Sequence, residues 1–227
     1  IATKLGLQGI PDYAEKIIIE RDLTLLEDFN CRYHIAQISS EKSVEIIKNR
    51  KEIVKFTTGV SINNLSLNQN DIGDFRTFLK LSPPLRTEED RLSLIKGINH
   101  NLIDVIVSDH KPEDEESKRL TFSQAATGAS GIETLLPLAL ELFHNESIKL
   151  NKIVECLTCN PAKILKIDKG NLSVGSDADL CIVDIYKPWV VKKEKMISKS
   201  KNTCIEDKKL QGKVLNTFIN GVELFKC

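Results

Sequence analysis

Neither sign of charge is in excess in this sequence: 32 lysines and arginines stand against 32 aspartates and glutamates. A nucleic-acid partner would leave a basic surplus or stripe, so that class is set aside. Long apolar runs are missing as well. Each is interrupted within about ten residues, well short of the roughly 20 that a helix needs to cross a bilayer. No signal peptide opens the chain, which points to a reducing compartment, the cytoplasm, and to free thiols. Internal repeats and low-complexity stretches are also lacking. The first residue is Ile1 rather than Met, and a fragment or a processed product is expected. What remains is 227 residues, 41% hydrophobic and 28% charged, the texture of one globular domain with or without a small second one.

Six cysteines are scattered at positions 31, 156, 159, 181, 204 and 227. Cys156-x-x-Cys159 has metal or redox spacing, but no second CxxC or CxxH accompanies it. Both lie in "NKIVECLTCNPAKIL", expected to be a single helix in which they pack as small hydrophobes.

The first two-thirds alternates helix and strand patterns. "PDYAEKIIIERDLTLLEDF" has apolar residues at helical spacing, and "RYHIAQIS" reads as a strand. "SSEKSVEIIKNRKE" is a helix opened by a serine cap, followed by the strand "IVKFTTGV". Pro83-Pro84 in "LKLSPPLR" excludes regular structure there. "TEEDRLSLIKGINH" is a capped helix and "DVIVSD" a third strand. Near-continuous apolar strands separated by helices argue for parallel βα units. Beyond "IETLLPLALELFH" and "NKIVECLTCNPAKIL" the texture changes to short β-rich runs broken by Gly, Asp and Asn, which is hairpin chemistry. The boundary is expected near residue 166. Three βα units cannot close an eight-stranded barrel, so the chain holds either a smaller open sheet or the last units of a barrel.

"VIVSDHKPE" places Asp109 and His110 at a strand end, a common setting for metal hydrolysis. Together with "RYHIAQIS", "LSPPLR", "FSQAATGASGIETLLPLAL", "NPAKIL", "KGNLSVGSDADLCIVD" and "SKSKNTC", this motif series resembles the dihydroorotases. These are zinc-dependent cyclic-amide hydrolases of the amidohydrolase superfamily. The resemblance spans essentially the whole chain and is strongest to the bacterial class whose partner is aspartate transcarbamoylase. It implies an α/β fold. Residues 1–166 would be the last βα units of a (β/α)₈ TIM-type barrel, and 167–227 a β-rich tail contributing to a small composite sandwich.

The resemblance also implies a site in which two zinc ions activate a bridging hydroxide that opens dihydroorotate to carbamoyl aspartate, reversibly. Metals suit that step because they lower the pKa of water and polarise the amide. Asp109 stands at the position of the metal-binding, proton-shuttling aspartate. Elsewhere the pattern fails. Gln37 in "AQIS" replaces the metal-binding histidine of "AHVS", and an amide is a poor zinc donor. His34, three residues earlier, is expected to face the other way and pack in the strand. Ser82 replaces the substrate-holding asparagine of "NPPLR". Glu113 replaces a histidine that contacts the substrate carboxylate, setting an anion against an anion. Asn63 and Asn64 stand where the family has paired histidines. Gly128 keeps its place in the pocket-lining loop.

Losses fall on side chains with chemical duties, while packing and turn motifs survive. The expected function is therefore a catalytically degenerate dihydroorotase relative that keeps its fold to support a partner, aspartate transcarbamoylase by resemblance. Zinc is expected to be weak or absent. The alternative is an active dihydroorotase or related cyclic amidase with an altered metal site. An unrelated α/β binding module would require the motif series to be coincidence. A half-barrel exposes strand edges, so association with the rest of the fold or with another copy is expected.

Overall fold

Three short runs of β-branched and apolar residues pair side by side. β1 (His34–Ile38), β2 (Thr57–Ser61) and β3 (Val105–Val107) form a parallel sheet in the order β1-β2-β3. This computed structural model describes residues 2–29 and 31–227. Parallel neighbours need a crossover between them, and helices supply it. α1 (Asp12–Asp28) precedes β1, and α2 (Glu41–Arg50) joins β1 to β2. α3 (Ile62–Ser66) and α4 (Glu88–Asn99) lie between β2 and β3. After β3 come α5 (Glu115–Arg119), α6 (Leu135–His144), α7 (Leu150–Leu157) and α8 (Cys159–Leu165).

Local chemistry starts two of these helices. The Ser40 hydroxyl accepts from the Ser43 N–H at the head of α2. Thr87 and Asp90 form a reciprocal capping box on α4. Between sheet and helices, Ile38, Ile47, Val60, Leu94, Ile98 and Leu138 are buried. Each such side chain contributes roughly 1.5–3 kcal/mol on leaving water.

Two expectations are corrected here. β2 begins at Thr57 rather than Ile53, because residues 51–54 turn out of α2. "NKIVECLTCNPAKIL" is two helices, broken at Thr158 with φ −129° and ψ −75°. Pro161 has no N–H to donate to Leu157, and its ring would crowd that carbonyl, so the helix restarts just before it. Cys156 is buried, whereas Cys159 Sγ donates to the Gly170 carbonyl at 2.9 Å. All six cysteines are free.

The C-terminal strands run antiparallel. β4 (Leu180–Val190), β5 (Lys209–Ile219) and β6 (Val222–Lys226) lie in the order β4-β5-β6. Asn220 and Gly221, both at positive φ, turn the β5–β6 hairpin. β4 and β5 each run eleven residues, longer than the short runs expected. Register shifts between Ile182 and Val183, and between Asp184 and Pro188, had hidden their continuity. α6 packs on β5 at Gly212, where any Cβ would lie 2.2 Å from Leu140 Cδ1.

Candidate functional site

β3 delivers Asp109 to the C-terminal edge of the parallel sheet, in left-handed backbone conformation with φ 49°. There the Gln37 amide Nε2 donates to Asp109 Oδ1 at 3.0 Å. The reverse amide orientation would set two oxygens against each other. Ser61, the last residue of β2, adds a second side-chain hydrogen bond to the carboxylate. All three strands thus contribute one group each.

Gln37 reaches this position through a bulge. Ile35 pairs with Thr58 and Ile38 with Val60, so Ala36 and Gln37 together oppose Gly59. A Cβ on Gly59 would sit 2.3 Å from the Ala36 carbonyl oxygen, so only glycine lets the bulge close in. The same bulge defeats the strict alternation expected for β1: Ile35 and Ile38, three apart, are both buried. His34 is corrected too. It is exposed at the start of β1, with Nδ1 2.7 Å from Thr57 Oγ1, rather than packed.

Burial raises the Asp109 pKa, opposed by the hydrogen bonds from Gln37 and Ser61 and more weakly by the Lys111 charge. Next to it, His110 Nδ1 accepts from the Gly131 and Ile132 N–H groups at 3.1 and 3.3 Å. When the ring is neutral its proton is therefore on Nε2. Gly131 passes so close that a Cβ would lie 2.4 Å from the Ser108 carbonyl oxygen. Gly128, at φ 144°, passes Lys111 in the same way, at 2.6 Å, and its N–H donates to the Lys80 carbonyl.

The remaining candidates are divided between two cavities. Ser82 lines one of about 560 Å³, with Leu5, Leu79, Pro84 and Arg86. Glu113 lines another of about 880 Å³, with His110, Phe78 and Asn202. Asp109 and Gln37 line neither. Asn63 and Asn64 are both 3% exposed. Asn64 Nδ2 donates to the Pro84 carbonyl, while Asn63 Nδ2 and Asn64 Oδ1 have no hydrogen-bond partner among the described residues. Sequence reasoning missed Ser61, whose role depends on a neighbouring strand, and Asn202, which sits in "SKSKNTC" without a local signal.

The residues present do not fit a zinc centre by themselves. Zinc takes three or four Cys, His or carboxylate donors. Among the described residues no three such groups converge, and the only carboxylate of the strand-end cluster faces an amide N–H.

A polar cluster at the C-terminal ends of parallel strands, backed by crossover helices, marks the mouth of a (β/α)₈-type barrel, of which this chain holds part. The chain belongs to the amidohydrolase family, whose description matches residues 2–224. Among curated relatives, the dihydroorotase of Ehrlichia canis (strain Jake) is 42% identical over 97% of this chain and 50% of its own length. That of Wolbachia sp. subsp. Drosophila simulans is 37% identical over 99% of this chain and 52% of its own. The chain thus spans about half the length of these relatives. Among solved structures, the L-hydantoinase (dihydropyrimidinase) from Arthrobacter aurescens superposes with TM-score 0.90 at 29% identity. The match covers 95% of this chain and 49% of that one. The dihydropyrimidinase from Brevibacillus agri NCHU1002, at 22% identity and TM-score 0.89, shares the fold. No helix among the described residues is long and apolar enough to cross a membrane.

Proposed function

We propose that this chain is part of a catalytically degenerate dihydroorotase of pyrimidine biosynthesis, kept in the cytoplasm as a folded support for aspartate transcarbamoylase. In this reading it is completed by the rest of the barrel or by another copy of itself. The observation that carries the reading is the Gln37–Asp109 hydrogen bond: the amide N–H occupies one oxygen of the carboxylate that a metal would use, and its own carbonyl oxygen is a poor zinc donor. Glu113 puts a further carboxylate on the wall of the cavity that His110 also lines.

The second reading, an active dihydroorotase or related cyclic amidase with an altered metal site, rests on the retained Asp109. In that case zinc would be held by Asp109 together with donors outside this chain, and would supply an activated water. The deciding assay follows carbamoyl aspartate against dihydroorotate in both directions, in the assembled protein with added zinc. An active relative serves as control. No turnover is expected, with less than stoichiometric metal on the chain. Turnover at ordinary enzyme rates would overturn the degenerate reading, and failure to co-purify with aspartate transcarbamoylase would remove the partner.

A further inference from the structure

The segment Ser198–Cys204, "SKSKNTC", leaves the antiparallel part of the chain and returns to the barrel mouth. Glu133, just after the Gly131 turn, accepts from the Ile197 and Ser198 N–H groups at 3.0 Å each. Ser200 Oγ donates to the Glu113 carbonyl at 2.6 Å. The Ser130 N–H donates to the Asn202 carbonyl at 3.1 Å, and Ser130 Oγ to the Ser200 carbonyl at 3.0 Å.

At the centre is the Asn202 side chain, 4% exposed. Its Oδ1 accepts from the Glu113 N–H at 3.3 Å, and the Ser130 and Ser200 hydroxyls stand within hydrogen-bond distance of it, each sharing its one proton between this oxygen and the carbonyl already named. Its Nδ2 donates to the Gly128 carbonyl at 3.2 Å. One amide, 89 residues from Glu113 and 74 from Gly128, thus holds both loops that frame the mouth. The asparagine amide suits this task because it carries a donor and an acceptor on one carbon.

We propose that Asn202 is a positioning residue, and that Ser198–Cys204 is a tether through which the antiparallel tail fixes the Glu113 and Gly128 loops relative to each other. Tail and mouth then open as one unit rather than independently. This stands whether or not the site is catalytic.

Hydrogen exchange of the whole chain, in whatever assembly it forms, tests the idea. Asn202→Ala should speed exchange of residues 110–116 and 126–131 by roughly tenfold, leaving α2 and β2 protected. Asn202→Asp keeps the acceptor and loses the donor, so it should loosen 126–131 while 110–116 stays near wild type. If the alanine variant is loosened everywhere, the aspartate variant alone decides. Unchanged exchange in both segments, or equal loosening of both by aspartate, would overturn the proposal.

Discussion

Even a half-buried carboxylate is costly unless something offsets its desolvation, and at Asp109 the partners are an amide and a hydroxyl. Removing the amide should show what that arrangement contributes. Gln37→Leu is expected to destabilise the chain by about 1–3 kcal/mol, measured by urea unfolding at pH 7. The sign with pH follows from the upward shift. Asp109's folded pKa lies above 3.8, so its burden on folding is absent at low pH and grows as pH rises through the folded value. Losing Gln37 pushes that pKa higher, so the effect of the substitution should be larger at pH 7 than near pH 4. Equal losses at both values would mean that Gln37 acts through packing alone. Gly131 offers a second test. A Cβ there meets the Ser108 carbonyl at 2.4 Å, so Gly131→Ala should cost about 1–3 kcal/mol by chemical denaturation. A neutral result would show that the turn beside His110 has slack.

At the scale of elements, α4 illustrates how a helix start is secured. The Thr87 hydroxyl accepts from the Asp90 N–H while Asp90 accepts from the Thr87 backbone. Thr87→Ala should therefore cost about 1 kcal/mol, read as a lowered urea midpoint. Glu88, in the same turn, is held down to about 2 by its hydrogen bond and ion pair with Arg91, with help from Asn68. Its contribution is present above pH 4.5 and fades as pH falls towards 2, and partial exposure makes it small. Glu88→Gln should thus flatten the acid side of a stability profile. An unchanged slope between pH 4.5 and 2 would show that the pair adds nothing. The break between α7 and α8 has a different cause, because one proline outweighs a continuous apolar face.

At the scale of the molecule, the parallel sheet ends openly at β1 and β3, and α1 is apolar on two sides. Ile19, Leu23 and Leu26 are buried against the core, while Tyr13, Ile17 and Leu25 are more than half exposed. Exposed apolar side chains on a helix gain by finding a partner surface, and open strand edges invite pairing. Without the rest of a barrel, the chain is expected to self-associate with rising concentration in sedimentation velocity. The double variant Ile17→Lys, Leu25→Lys should reduce that association while keeping its helical circular dichroism. A wild-type chain that sediments as a monomer throughout would sink this expectation.

Periodicity, caps and turn residues were enough to place the βα units and the hairpin chemistry of the C-terminal part, and the motif series carried the resemblance to the family. Those features are local: a cap, a proline or a strand run acts within a few residues of itself. Asp109 was legible for the same reason, as the carboxylate directly after a buried strand. What depended on chain segments far apart was not legible. The bulge that aims Gln37 exists because Gly59, on another strand, leaves room for the Ala36 carbonyl. Ser61 meets Asp109 only through the register of β2 with β3. Asn202 gains its partners across 74 and 89 residues. Sequence determined which elements form and which family they build. Tertiary structure decided what each polar group faces, because direct hydrogen bonds act over about 3 Å and only packing brings distant residues that close.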